Sequence, residues 1–146
     1  MNEVDFVTDT ATLCVFDVAS LRHRINDDGD WWTVLDEELI EVNEGNVAFI
    51  GLREDGKYIL EISKSLDGED CAVILNCPSG RVFLGAAEEA TGNGLEPVAI
   101  RGGTFLTVAP GRYRLTVHRK SERAIAVSLQ PTDEVAKNRF TNPIQV

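Results

Sequence analysis

The stretch "NDDGDWW", residues 26–32, gathers the groups best suited to bind something. Asp27, Asp28 and Asp30 surround Gly29 and run into the chain's two tryptophans, Trp31 and Trp32. Further acids follow at Glu37, Glu38 and Glu41. Oxygen ligands at alternating positions are what a calcium loop uses. Counted from Asn26, Asp28 and Asp30 take loop positions 3 and 5, and Glu37 takes position 12. The loop's sharp turn needs glycine at position 6, but that residue is Trp31, and Gly29 sits at position 4. No metal and no cofactor is assigned on this basis. A sugar platform would need aromatic rings facing one way, and adjacent residues point apart in helix or strand. Two readings remain. The segment is a turn whose tryptophans are buried anchors, or the same turn presents acids and one exposed indole to a basic partner.

Other chemistries find less support. The two histidines, His23 and His118, accompany no nucleophile-elbow pattern such as GxSxG, so no catalytic residue is named. Cys14, Cys71 and Cys77 lack the paired spacing of a zinc site and lie in apolar stretches, where a free thiol acts as a small buried hydrophobe. "TGNGLEP" carries Gly92 and Gly94 of a dinucleotide fingerprint, but Pro97 stands at the third glycine's place.

Charge is divided unevenly. Of the formal net charge of −10, residues 1–70 hold 18 acids against 5 bases, and residues 71–146 hold 6 against 9. Nucleic acid needs a basic footprint, so direct binding to it is not expected. A basic protein partner fits, steered by long-range attraction. Arg112, Arg114 and His118 form a second, basic surface. It complements the acidic half within the molecule or across a homodimer, or else meets a separate anion. No apolar run is long enough to span a bilayer, and "MNEVDFVTDT" bears acids where a signal peptide has Lys or Arg. A cytoplasmic, membrane-free protein is expected.

The elements that must position these groups are mostly strands. "TATLCVFDV" (10–18) reads as a buried strand. Val18, Leu21 and Ile25 fall on one stripe of a short helix, with Asp17 or Ser20 as cap. A second short helix spans 36–44, with Asp36 as cap, Leu39 and Ile40 facing inward, and Glu37, Glu38 and Glu41 facing solvent. From Asn46 the chain alternates apolar runs with turn residues. Asp55-Gly56 signals a hairpin, Pro78-Ser79-Gly80 a turn between "CAVILNC" and "RVFLG", Pro110-Gly111 a type II turn, and Gly102-Gly103 a turn between "LEPVAI" and "TFLTV". Along 112–118, Tyr113, Leu115 and Val117 point to one side and the Arg-rich set to the other, and "AIAVSLQ" (124–130) closes the series. The expected fold is mainly β, a two-layer antiparallel β-sandwich with one or two short N-terminal helices. As one domain it comprises an N-terminal segment 1–45, strands over 46–130 and an extended tail 131–146.

"FLTVAPGRYRLTVHR" (105–119) resembles the late hairpin of small bacterial β-sandwich proteins of the competence-protein-J and immunity-protein kind. That resemblance implies a non-enzymatic inhibitor seated on a nuclease or toxin, and carries no active residue with it. The leading expectation is an acidic, immunity- or inhibitor-type binding protein. It would use Asp27, Asp28, Asp30, Trp31, Trp32, Glu37, Glu38 and Glu41 against a basic toxin or nuclease. The alternatives are a small enzyme or ligand-binding domain with a pocket between the sheets, and a self-associating assembly subunit.

Overall fold

The computed structural model describes residues 2–134 and 138–146, so residues 135–137 of the expected tail lie outside the described residues. Among the described residues ten strands form two five-stranded sheets. The first sheet runs β1 (Asn2–Thr8), β4 (Gly56–Ile62), β9 (Ala124–Pro131), β8 (Gly111–Ser121), β5 (Cys71–Cys77). The second runs β10 (Ile144–Gln145), β3 (Ala48–Gly51), β2 (Thr12–Asp17), β6 (Arg81–Ala86), β7 (Thr104–Thr107). The two-layer sandwich is therefore as expected, but both sheets are mixed. β4 pairs parallel with β9, and β10 pairs parallel with β3.

Alternation builds the first sheet. In β8, Tyr113, Leu115 and Val117 are buried while Arg112, Arg114 and His118 are part-exposed, and Ile125 and Val127 continue the buried face on β9. β1 pairs in register with all seven residues of β4 and buries Phe6 against Tyr58, rings 5.6 Å apart. Val4 and Phe6 alternate there with Glu3 and Asp5, the period of two of a half-buried strand, and β1 lies at the edge of the sheet. β2 behaves differently, with every residue from Leu13 to Asp17 buried. Such a strand is covered on both faces. Over the second sheet lies the segment 18–47, which includes α1 (Leu35–Asn43) and packs through it on β3.

Three of the expected turns do something else. β3 lies in the second sheet and β4 in the first, so Asp55-Gly56 carries the chain between sheets and makes no hairpin. The same holds for Pro78-Ser79-Gly80 between β5 and β6, and for Pro110-Gly111 between β7 and β8. Gly111 has φ +159°, extended rather than the roughly +80° of a type II turn. "LEPVAI" is loop, not strand. The first expected helix reduces to a single 3-10 turn, Arg22–Arg24. Its stripe has too few apolar residues to bury a longer helix face. The second helix forms as α1, but Val34 takes the N-cap position without a side-chain cap, and Asp36 lies in the first turn.

Candidate functional site

The acidic residues singled out above fall into two sets once folded. The first set surrounds Arg24. Its guanidinium meets Glu41 at 2.7 Å, Glu37 at 2.8 Å and Asp27 at 3.1 Å, and lies 4.7 Å over the Trp31 ring. Glu41 is 2% exposed, which corrects the expectation of a solvent-facing residue. Ile40, expected inward, points out at 54% exposed. The helix face turned to the core carries Glu38, Glu41 and Val42, spaced i, i+3, i+4. A carboxylate can occupy that face because it has partners. Beside Arg24, Glu41 accepts from Asn46 at 2.8 Å and meets His23 at 2.8 Å. Burial pushes the Glu41 carboxyl up, but the donors Asn46, Arg24 and His23 outweigh it and hold the group below its ordinary value. Asp27, Glu37 and Glu41 thus hold the segment together.

Neither indole is offered to a partner. Trp31 is 5% and Trp32 7% exposed, so of the two readings left open the one with both tryptophans as buried anchors holds. Trp31 donates its indole N–H to the Thr91 carbonyl at 2.6 Å and meets the Phe49 ring edge-on. Trp32 stacks on the same Phe49 at 5.1 Å. Both rings enter the core because residues 31–33 form a 3-10 turn above β3, whose Phe49 separates them. The divergence expected of neighbouring residues is resolved by one ring contacting edge-on and the other face-on.

The second set stays at the surface. Asp28 and Asp30 are exposed, and among the described residues their side chains make no ion pair or hydrogen bond. They flank an open groove of about 470 Å³ that also touches Thr10, Trp32, Glu88 and Asn93. Next to it, Glu38 borders a smaller groove of about 250 Å³ with Thr12 and Gln145. Burial pushes Glu38 up to about 6. Glu88 was not foreseen at this site. It accepts from Thr8 at 2.7 Å and Thr10 at 2.6 Å, which pins the β1–β2 turn to the groove wall. Nothing near Glu88 in the sequence points to it, since its partners are almost eighty residues away. Among the described residues no group of three or more His, Cys, Asp or Glu could hold a metal ion.

The expected basic surface is paired within the chain. Arg114 makes two bonds to Glu69, at 3.2 and 3.0 Å, His118 lies 3.3 Å from Asp70, and Arg112 donates to the Glu134 carbonyl at 2.7 Å. Acids of the first half thus complement bases of the second inside one molecule. The three thiols are free, and burial raises Cys14 well above the ordinary range and Cys71 and Cys77 to about 12. No helix among the described residues is long and apolar enough to cross a membrane.

Three comparisons bear on this arrangement. A solved structure described as "Crocagin biosynthetic gene J" is 20% identical, covers 90% of this chain and 99% of its own, and superposes with a TM-score of 0.50. ComJ from Bacillus subtilis, described as an inhibitor of the DNA-degrading activity of NucA, is 12% identical. It covers 90% of this chain and 96% of its own, with a TM-score of 0.44. The first likeness speaks to the fold alone, and the second is weaker. No curated protein matches. A family model described as a family of unknown function, DUF6386, matches residues 1–146.

Proposed function

We propose that this chain, which belongs to the family of unknown function DUF6386, is a non-enzymatic binding protein whose acidic face captures a basic protein, in the manner of an immunity protein or inhibitor acting on a toxin or nuclease. One observation carries the reading. Asp28 and Asp30 stand exposed and, among the described residues, unpaired on their turn, while Asp27, Glu37 and Glu41 are engaged with Arg24. Carboxylates fixed in this way meet Lys or Arg without first leaving an internal partner, which favours fast and oriented association. The tryptophans serve by anchoring that turn to Phe49.

The space between the sheets is filled by Phe6, Tyr58, Leu60, Leu115, Val117 and their neighbours, which counts against an inter-sheet ligand pocket. The internal ion pair of Arg114 with Glu69, and Asp70 lying beside His118, count against self-association through opposite charges.

The test is capture by the immobilised chain from a lysate of its own host, with the bound protein identified by mass spectrometry. The reading expects a basic protein that elutes with salt and is lost when Asp28→Lys and Asp30→Lys are combined. Unchanged capture by that double variant would refute it. Loss of binding must come without loss of fold, because exposed substitutions of this kind shift stability by only about 0.5 kcal/mol.

A further inference from the structure

Residues 92–101, between β6 and β7, present an unusual surface. Leu95, Val98 and Ile100 are 69%, 72% and 81% exposed. Single exposed apolar residues are ordinary, but three within six residues of one loop are a concentration of the sort that interaction sites show. The loop is held in that posture. Glu89 is buried, and its carboxylate accepts backbone N–H bonds from Val98 at 3.2 Å, Ile100 at 3.0 Å and Arg101 at 3.1 Å. Ala99, between the first two of these donors, has φ +60°, a conformation that L-residues avoid. At its other end the loop is bound to the acidic turn. The Asn93 N–H donates to the Asp27 carbonyl at 2.7 Å, the Gly94 N–H to the Ile25 carbonyl at 2.5 Å, and Arg22 lies 3.6 Å from Glu96. Gly92 packs so closely on Gly29 that a Cβ there would strike its Cα. A buried carboxylate and a strained alanine thus hold three apolar side chains out in water, on a loop whose Asn93 lines the same groove as Asp28 and Asp30.

We propose that Leu95, Val98 and Ile100 are the apolar anchor of the partner-binding face: they enter an apolar pocket on a basic protein, whose rim of Lys and Arg pairs with Asp28 and Asp30. Charge selects the occupant. Among the described residues the side chains of Asp28 and Asp30 have no partner, and a chain of net charge −10 repels a second copy of itself. The inference rests on the acidic-face reading above and adds to it the source of affinity, since exposed carboxylates mainly set approach rate and specificity and buried anchors supply most of the binding energy.

Methyl-labelled full-length protein is titrated with two peptides of equal charge, an amphipathic Leu/Lys peptide and oligolysine. The Leu/Lys peptide should bind roughly tenfold more tightly and move the methyl signals of Leu95, Val98 and Ile100. Val98→Ser with Ile100→Ser should remove that advantage and leave oligolysine binding as it was. Asp28→Asn with Asp30→Asn should weaken both peptides. Equal binding of the two peptides, with methyl signals unmoved, overturns the anchor and leaves the acidic face standing. If the Leu/Lys peptide occupies the loop regardless of Asp28→Asn and Asp30→Asn, the basic partner falls, and the acidic face with it. Methyl shifts that grow with protein concentration alone would assign the loop to a second copy and overturn the proposal.

Discussion

Arg24 and Glu41 show how one residue pair decides what a whole segment can do. The Arg24 side chain is 14% exposed and the Glu41 side chain 3%, so each is removed from water and depends on the other. Removing Arg24 takes from the buried Glu41 its permanent counter-charge and leaves it only Asn46 and His23. Arg24→Met should therefore cost about 3 kcal/mol or more in urea unfolding. Two neighbouring carboxyls give opposite pH responses. Glu41 is held below its ordinary value, so its contribution is complete above the unfolded value and is lost as pH falls through the lower folded one. Glu38 is raised from 4.5 to about 6, so the folded state binds its proton more tightly than the unfolded state does. Its contribution is present below 4.5 and is lost as pH rises through about 6. Glu38→Gln should consequently be more stable than the parent at neutral pH, and the gain should vanish below about pH 4.5 in unfolding midpoints. Equal midpoints at neutral pH would show that the carboxyl is not desolvated as placed. The sequence displayed these acids but not their division. Asp27 and Asp28 are adjacent and chemically identical, and only the position of Arg24 makes one structural and leaves the other free.

At the level of elements, two of the crossings between the sheets share a device. "EDGKY" (54–58) and "APGRY" (109–113) each place a tyrosine two residues after a glycine. Tyr58 donates to the Glu54 carbonyl at 2.6 Å, and Tyr113 to the Ala109 carbonyl at 2.7 Å. Each ring is buried and its hydroxyl ties back across the bend, as at the corners of other β-sandwiches. Tyr58→Phe and Tyr113→Phe should each cost about 1 kcal/mol by thermal or urea unfolding, the net worth of one such bond. No change in either would remove this explanation of the corners. The crossing from β5 to β6 uses Asp17 instead, whose buried carboxylate accepts from the Ser79 hydroxyl at 2.7 Å and the Gly80 N–H at 2.7 Å. The turn residues were visible in the sequence, but a glycine states only that the chain bends. Whether the next strand pairs with the last or crosses over is fixed by the partners available to it, and the repeated Gly-x-Tyr spacing was the one local signal of a crossing.

Across the whole molecule, the open edges of the first sheet are covered by distant segments. At the β1 edge, the Val7 N–H donates to the Arg101 carbonyl at 2.9 Å and the Gly103 N–H to the Asp5 carbonyl at 2.7 Å. At the β5 edge, Asn138 imitates a strand: its side-chain amide accepts from the Ile74 N–H and donates to the Ile74 and Val42 carbonyls, each at 2.9 Å. Covered edges resist pairing with other chains. Asn138→Ala should cost about 2 kcal/mol and speed amide exchange at Ile74, because it leaves backbone groups of β5 and α1 without partners. Exchange at Ile74 as slow as in the parent would show that the edge is covered by other means. The sequence by itself determined the fold class, the buried and exposed faces of β8 and β9, the burial of at least one tryptophan, and the uneven charge. Those properties are written in local periodicity and composition. The tertiary structure alone decided the mixed sheet order, the crossings, the inward turn of Glu41, the burial of both indoles and the display of Leu95, Val98 and Ile100. Each of these depends on contacts between residues far apart in the chain, Arg24 with Glu41, Trp31 with Thr91, Glu89 with Ile100, and no local pattern encodes which distant group will arrive.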